Sequence, residues 1–218
     1  VSYIESALKD AARRQSPLLI LQLDTPGGLD ASMREIIQLL MTSPVPVVTF
    51  VAPSGARAAS AGTYILYASH LAAMAPGTNL GAATPVKLGG VAAPGTPGSD
   101  ADNLSSPGGS DMQRKIINDA EAYLRSLAQL RGRNIEWAVK AVRNAESLSA
   151  EEALQKNVID IVATHVPDLL AQLDGKEIKL IHQTQVLRTS GLKIKKIEPD
   201  WHTQLLSFIT NPNVAYNI

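Results

Sequence analysis

The chain has 218 residues, 45% of them apolar, with 20 basic residues balanced by 20 acidic ones and no cysteine. That length suits one α/β domain with a small appendage, and the charge balance, with no dense basic stripe, argues against a nucleic-acid partner. The lack of cysteine removes thiol nucleophiles, disulfide frameworks and cysteine-based zinc sites together. Residues 2 to 14 carry Ile4, Ala7, Leu8, Ala11 and Ala12 at helical spacing, which predicts an amphipathic helix. Leu18 to Leu23 is a nearly continuous apolar run, the pattern of a parallel strand covered on both faces, and Asp24 to Gly28 ends it in a turn. Helical spacing returns at Met33, Ile36, Ile37, Leu40 and Met41, and a second buried strand follows at Val45 to Val51. A helix from about Ser60 to Ala68, a strand at Leu71 to Met74 and a turn-rich stretch at 76 to 81 continue the alternation of an α/β fold.

From Pro85 to Asp111 the composition turns to Gly, Pro, Ala and Ser, which reads as a mobile loop and, lying between two candidate site residues, as a lid over a cleft. A long amphipathic helix is expected from Met112 to Leu130, with Met112, Ile116, Ala120, Tyr123, Leu124, Leu127 and Ala128 on one side and Gly132 at its end. Ser149 and Glu152 form a capping box, and Val158 to Val162 supplies another strand. Beyond about Gly175 the pattern changes to short β-prone pieces at 178 to 181 and 185 to 187. A helix-like stripe follows, Trp201, Leu205, Leu206, Phe208 and Ile209. The division read from this is a main domain over 1–174 and an extension over 175–218. The sequence opens on Val1, shows no signal peptide and holds no apolar run long enough to span a bilayer, so it reads as an excised soluble domain.

Three features carry chemistry. Asp24-Thr25-Pro26-Gly27-Gly28 sits at the carboxyl end of a strand, where open α/β sheets bind ligands. Its glycines let a main-chain amide approach a developing oxyanion, although such a turn is also a common tight connection. In Gly55-Ala56-Arg57-Ala58-Ala59-Ser60-Ala61-Gly62-Thr63 one hydroxyl stands among very small residues before a helix. That leaves room for a substrate, and the Ala61 amide is the natural second oxyanion donor; a plain N-cap would look the same. Lys115, flanked by Met112, Ile116 and Ile117, is placed by the sequence at the start of the long helix. Partial burial and the positive helix end there would disfavour the ammonium form and make it a proton acceptor. Lys87 is the rival base, and Ser54 and Ser69 read as turn and cap residues. No cluster has metal-ligand spacing and no phosphate-binding loop is present, so no metal or cofactor is expected. The small residues Gly27, Gly62 and Ala83 are expected to contact substrate.

Leu-Asp-Thr-Pro-Gly-Gly at 23 to 28, Ala-Arg-Ala-Ala-Ser-Ala-Gly-Thr-Tyr-Ile at 56 to 65 and Ala-Pro-Gly-Thr-Asn-Leu-Gly-Ala at 75 to 82 resemble the NfeD family of stomatin-operon membrane proteases. The resemblance runs from about residue 2 to 170. It implies a ClpP/crotonase-like α/β fold of repeated β-β-α units with a long helix and a small β-containing C-terminal extension. It further implies a serine endopeptidase with a Ser-Lys dyad, the nucleophile falling on Ser60, the base on Lys115 and the oxyanion donors on the amides of Gly28 and Ala61. An apolar peptide of a stomatin-like partner is the implied substrate. Membrane anchorage beyond the chain, on the extracytoplasmic face, and a dimeric assembly follow from the same likeness. ClpP itself uses a Ser-His-Asp triad, but here the region after the serine reads Gly81-Ala82-Ala83-Thr84, and His70, His165, His182 and His202 read as structural or surface residues. Two other readings share the fold or the surface features: an acyl-CoA-binding crotonase-like enzyme and a non-catalytic partner-binding domain.

Overall fold

The computed structural model describes residues 1–85, 107–180 and 183–197, without the side chains of 107–110. Helix α1 (Ser2–Arg13) buries Ala7, Leu8 and Ala11, three positions of the predicted apolar face. Strand β1 (Leu19–Leu23) leads through the Gly27-Gly28 turn into helix α2 (Asp30–Met41). Next come β2 (Val47–Val51), the short β3 (Arg57–Ala59) and α3 (Ala61–Ala68), and then β4 (Leu71–Met74) and β5 (Asn79–Gly81). The long α4 (Pro107–Arg131), α5 (Ile135–Arg143), β6 (Ser147–Ser149), α6 (Ala150–Gln155), β7 (Ile161–Val162) and α7 (Val166–Leu173) follow. A hairpin of β8 (Glu177–Lys179) and β9 (Thr184–Val186) completes the described elements.

Two sheets organise the chain. The larger runs β1-β2-β4-β7 with every neighbouring pair parallel; the smaller runs β3-β5-β6, with β3 and β5 parallel and β6 antiparallel to β5. Each unit leaves the large sheet, adds a short strand to the small one and enters a helix, as in β2-β3-α3 and β4-β5-α4. The first unit has the same plan with its short strand reduced to one bridge, Thr25 to Ala58. This is the repeated β-β-α arrangement of a ClpP-like fold, and it has a direct consequence for function. The chain positions that follow the small-sheet strands, namely Gly27-Gly28, Ser60 and Gly81-Ala82, are brought side by side.

The two faces of β2 feed two cores, as strand alternation requires. Val47 and Val51 pack with Ile37, Leu40, Leu66, Tyr67 and Leu124, while Val48 and Phe50 pack with Leu169, Leu173, Ile178 and Leu187. Every residue of α3 is buried. At its carboxyl end two guanidiniums satisfy the last carbonyls: Arg131 Nε donates to Ala68 at 2.8 Å, and buried Arg133 donates to Tyr67 and Ser69 at 3.0 Å each. Arg133 also pairs with Asp160 at 2.8 Å, and Asp160 accepts from the Ala72 amide at 2.7 Å.

Several expectations need correction. Among the described residues β1 is an edge strand with β2 as its only partner, so its residues are half-buried and Gln22 is exposed; a cavity of about 920 Å³ lies between it, α1 and residues 192–197. The stretch at 76 to 81 holds β5, and β3 precedes Ser60; at three residues each, neither shows a periodicity that a sequence could reveal. Helix α4 starts at Pro107, five residues before Met112, and Met112 is 54% exposed. Leu187 and Ile178 of the extension sit in the same apolar cluster as Phe50. The Gly-Pro-rich stretch from 86 to 106, with Lys87 and the lid read into it, and the stripe at 201 to 209 lie outside the described residues.

Candidate active site

Ser60 occupies the sharp corner between β3 and α3, where it is the N-cap residue with φ 51° and ψ −117°. A non-glycine residue in that region stores about 1–3 kcal/mol, which the surroundings must offset. They do so through a dense set of bonds. The Ser60 amide donates to the Gly81 carbonyl at 2.9 Å, and the Thr63 amide donates to the Ser60 carbonyl at 2.9 Å. The buried Thr63 hydroxyl lies 2.8 Å from the Ala58 carbonyl and 3.0 Å from that of Gly81, and it accepts from the Gly81 amide at 3.1 Å. A short strand ending at a strained serine that opens a helix is an elbow, a geometry that lifts a hydroxyl clear of the backbone. Ser60 is half-buried, and among the described residues its Oγ has no hydrogen-bond partner.

The Gly27-Gly28 turn lies against this corner. Thr25 zips it to β3, its amide donating to Arg57 at 2.7 Å and its carbonyl accepting from Ala59 at 3.1 Å; Asp24 accepts from the Arg57 amide at 3.1 Å. The Thr25 hydroxyl accepts from the Gly27 amide at 3.1 Å. Gly27 has φ 140°, and a methyl placed on it would stand 3.1 Å from Ser60 Cβ, so the site requires glycine there. A methyl on Gly28 would reach Ala61 Cβ at 3.9 Å. Among the described residues neither the Gly28 nor the Ala61 amide donates a hydrogen bond. Two free donors therefore flank the serine, one from the turn and one from the positive end of α3.

The remaining positions separate into near and far. Gly62 is buried beneath the elbow, where a methyl would come within 2.7 Å of Thr25 Cγ2, so it serves close packing. Ala83 is buried too; its amide donates to Ala141 at 2.9 Å and its carbonyl accepts from Tyr64 at 3.1 Å. Lys115 is exposed, eight residues into α4, so the burial and helix-end arguments made for it from sequence both lapse. Among the described residues its Nζ has neither a hydrogen-bond nor an ion-pair partner. The helix that carries it is nonetheless tied to α2 and α3. One turn on, Asp119 accepts from Arg34 of α2 at 2.6 Å, and Arg34 also reaches Asp30 at 2.9 Å, two residues after Gly28. The Arg34 guanidinium lies 4.5 Å from the centroid of Tyr123, which stacks on Tyr64 of α3, and the Tyr64 hydroxyl also donates toward Ala120 at 3.4 Å. Burial raises the Tyr64 and Tyr123 phenols above their ordinary range, so both stay protonated. Thr63, Thr25 and this Arg34 bridge were not read from sequence. The hydroxyls sit inside the quoted motifs, whereas no local pattern announces Arg34 with Asp119.

His70 is buried, its Nδ1 accepting from the Val47 amide at 3.1 Å; burial first, then Arg131 and Arg133, pushes it down to about 4. His165 caps α7 by accepting from the Asp168 amide. Ser69 is buried and bonded to Ile65 and Thr49, and Ser54 is exposed. Among the described residues no group of three or more His, Cys, Asp or Glu side chains is placed to hold a metal ion.

Fold and elbow together define a ClpP-like α/β domain that presents a serine between two main-chain amides unpaired among the described residues. The chain belongs to the NfeD1b N-terminal domain family, whose profile matches residues 1–183. It is 39% identical over 218 residues to a membrane-bound protease of Pyrococcus horikoshii, a match covering 98% of this chain and 45% of that protein. It is 41% identical over 93 residues to membrane protein NfeD1b of Bacillus subtilis, covering 42% of this chain and 20% of that one. The chain thus spans less than half the length of these relatives. Among solved structures it resembles a membrane-bound stomatin-specific protease, in a lysine-to-alanine variant in complex with a substrate peptide. The TM-score is 0.82 at 34% identity, over 96% of this chain and 90% of that one. A serine-to-alanine variant described in the same words matches with a TM-score of 0.78 at 34% identity, over 91% of each chain.

Proposed function

We propose that this domain is a serine endopeptidase in which Ser60 is the nucleophile, Lys115 the general base, and the Gly28 and Ala61 amides the oxyanion hole. The observation that carries the reading is the strained Ser60 corner set between two main-chain amides that have no partner among the described residues. The Lys115 amine takes the Ser60 proton as Oγ adds to the peptide carbonyl, and the resulting oxyanion sits between the two amides. Collapse breaks the C–N bond while Lys115 returns its proton to the departing amine. Water then adds to the acyl-enzyme with Lys115 again as base, releasing the acid and restoring the Ser60 hydroxyl.

The substrate is an apolar segment of a stomatin-like membrane protein. Support comes from the solved stomatin-specific relatives, one a lysine variant in complex with a substrate peptide and one a serine variant. No helix among the described residues is long and apolar enough to cross a membrane. In this reading the domain is the extracytoplasmic part of a membrane-anchored protein and works as a homodimer, with residues 175–218 leading toward the anchor. The test is mass spectrometry of apolar peptides incubated with the wild type, Ser60→Ala and Lys115→Ala. Cleavage by the wild type alone is expected. Cleavage surviving in Ser60→Ala would overturn the assignment.

A further inference from the structure

The base candidate stands unpaired beside a carboxylate that is already taken. Lys115 and Asp119 are four residues apart on α4, a spacing that sets a lysine and an aspartate within pairing reach on one helix face. They do not pair: among the described residues the Asp119 carboxylate bonds Arg34 of α2 and Lys115 bonds nothing. Arg34 is held for this contact by three features, its second bond to Asp30, its seat over the Tyr123 ring and the Tyr123–Tyr64 stack behind it. The side chains are 37% exposed for Arg34 and 69% for Asp119, so the pair contributes little to stability, and its placement asks for another explanation.

We propose that Arg34 is a positioning residue for the Ser60 reaction: by occupying Asp119 it keeps that carboxylate away from Lys115 and leaves the amine available to Ser60. The inference rests on the dyad reading above. Other charged or titratable groups lie on α4 and on the elements packed against it. On α4, Asp111 is paired with Arg114, and Tyr123 lies under Arg34. On α2, Asp30 is bound to Arg34 and Glu35 follows Arg34 in sequence. On α3 the Tyr64 hydroxyl is bonded to main-chain carbonyls, and α5 brings Glu136, Lys140 and Arg143, the last paired with Glu121. Asp119 is thus the carboxylate one turn from Lys115 whose pairing Arg34 decides. In Arg34→Gln it becomes free to pair with Lys115, and a paired ammonium gives up its proton less readily.

The experiment follows phosphonylation of the domain by an alkyl fluorophosphonate, with loss of fluoride, read by intact mass across pH, in Arg34→Gln, Arg34→Lys, Asp119→Asn and the double variant Arg34→Gln/Asp119→Asn. In Arg34→Gln the acid limb of the rate profile is expected to move up by about 0.3 pH unit, a roughly twofold loss on that limb, the size of an exposed pair at this spacing. Asp119→Asn keeps the wild-type pH dependence, and the double variant returns to it. Arg34→Lys, which keeps a cation but cannot fork to two carboxylates, gives a smaller displacement and carries the test if Arg34→Gln does not fold. A folded Arg34→Gln with the wild-type profile, or a double variant no different from Arg34→Gln, would overturn the proposal. A Lys115→Ala protein that is phosphonylated like the wild type would instead sink the dyad itself. Loss of reaction in Lys115→Ala with a wild-type Arg34→Gln leaves the dyad standing and removes only the role of Arg34.

Discussion

The serine side of the site and the lysine side are built by opposite means. Around Ser60 the strain of a positive φ is held by Thr63, Gly81 and the Thr25 bridge, all within buried or half-buried structure. Around Lys115 there is an exposed helix face, tied to the rest by Arg34 and Tyr64, with no bond to the amine itself among the described residues. The Ser60 corner and its two flanking amides are thus fixed by buried main-chain bonds, whereas the Lys115 side chain is held by none among the described residues.

Substitutions should separate the two sides by the size of their effects. Gly81→Ala is expected to be the most damaging, because its methyl would come within 2.2 Å of the Glu146 carbonyl at a φ of 132°. A loss of more than about 4 kcal/mol in urea denaturation, or failure to fold, is the predicted result. Acid should act next. His70 is held neutral at about 4 in the folded protein against an ordinary value of 6.5, so between those limits the unfolded chain binds a proton that the native one refuses. Stability is full above pH 6.5 and falls toward pH 4, by at most about 3 kcal/mol, and His70→Asn should flatten this part of the profile. Thr63→Val keeps the shape but removes the hydroxyl that serves Ala58 and Gly81, and should cost about 1–3 kcal/mol in the same assay. Lys115→Met should change stability by no more than about 0.5 kcal/mol while removing activity. A Lys115→Met protein as unstable as Thr63→Val would show that the two sides are not built differently after all.

Much of the serine side was legible in sequence because its signals are local. Gly27-Gly28 at a strand end and Ser60 amid alanines and glycine mark backbone needs that few residues can meet, and the fold sets them beside each other. The small sheet was not legible, since three-residue strands such as Arg57–Ala59 and Asn79–Gly81 carry no period. Nor was the edge position of β1, because an apolar run such as Leu-Ile-Leu-Gln-Leu looks the same beside one neighbour or two. Lys115 was found through a family pattern, and the local argument for it, burial near a helix start, did not survive the observed start of α4 at Pro107. Arg34 with Asp119, 85 residues apart, had no sequence signal at all.

The central claim is that the strained Ser60 hydroxyl, with Lys115 as its base, is the reactive group. It is tested most directly by exposing the wild type, Ser60→Ala and Lys115→Ala to an alkyl fluorophosphonate at neutral pH and locating the adduct by peptide mass spectrometry. A single adduct on Ser60 in the wild type, absent from Ser60→Ala and formed far more slowly in Lys115→Ala, is the predicted result. An adduct on Ser54 or another hydroxyl, or one on Ser60 that forms equally fast without Lys115, would contradict it.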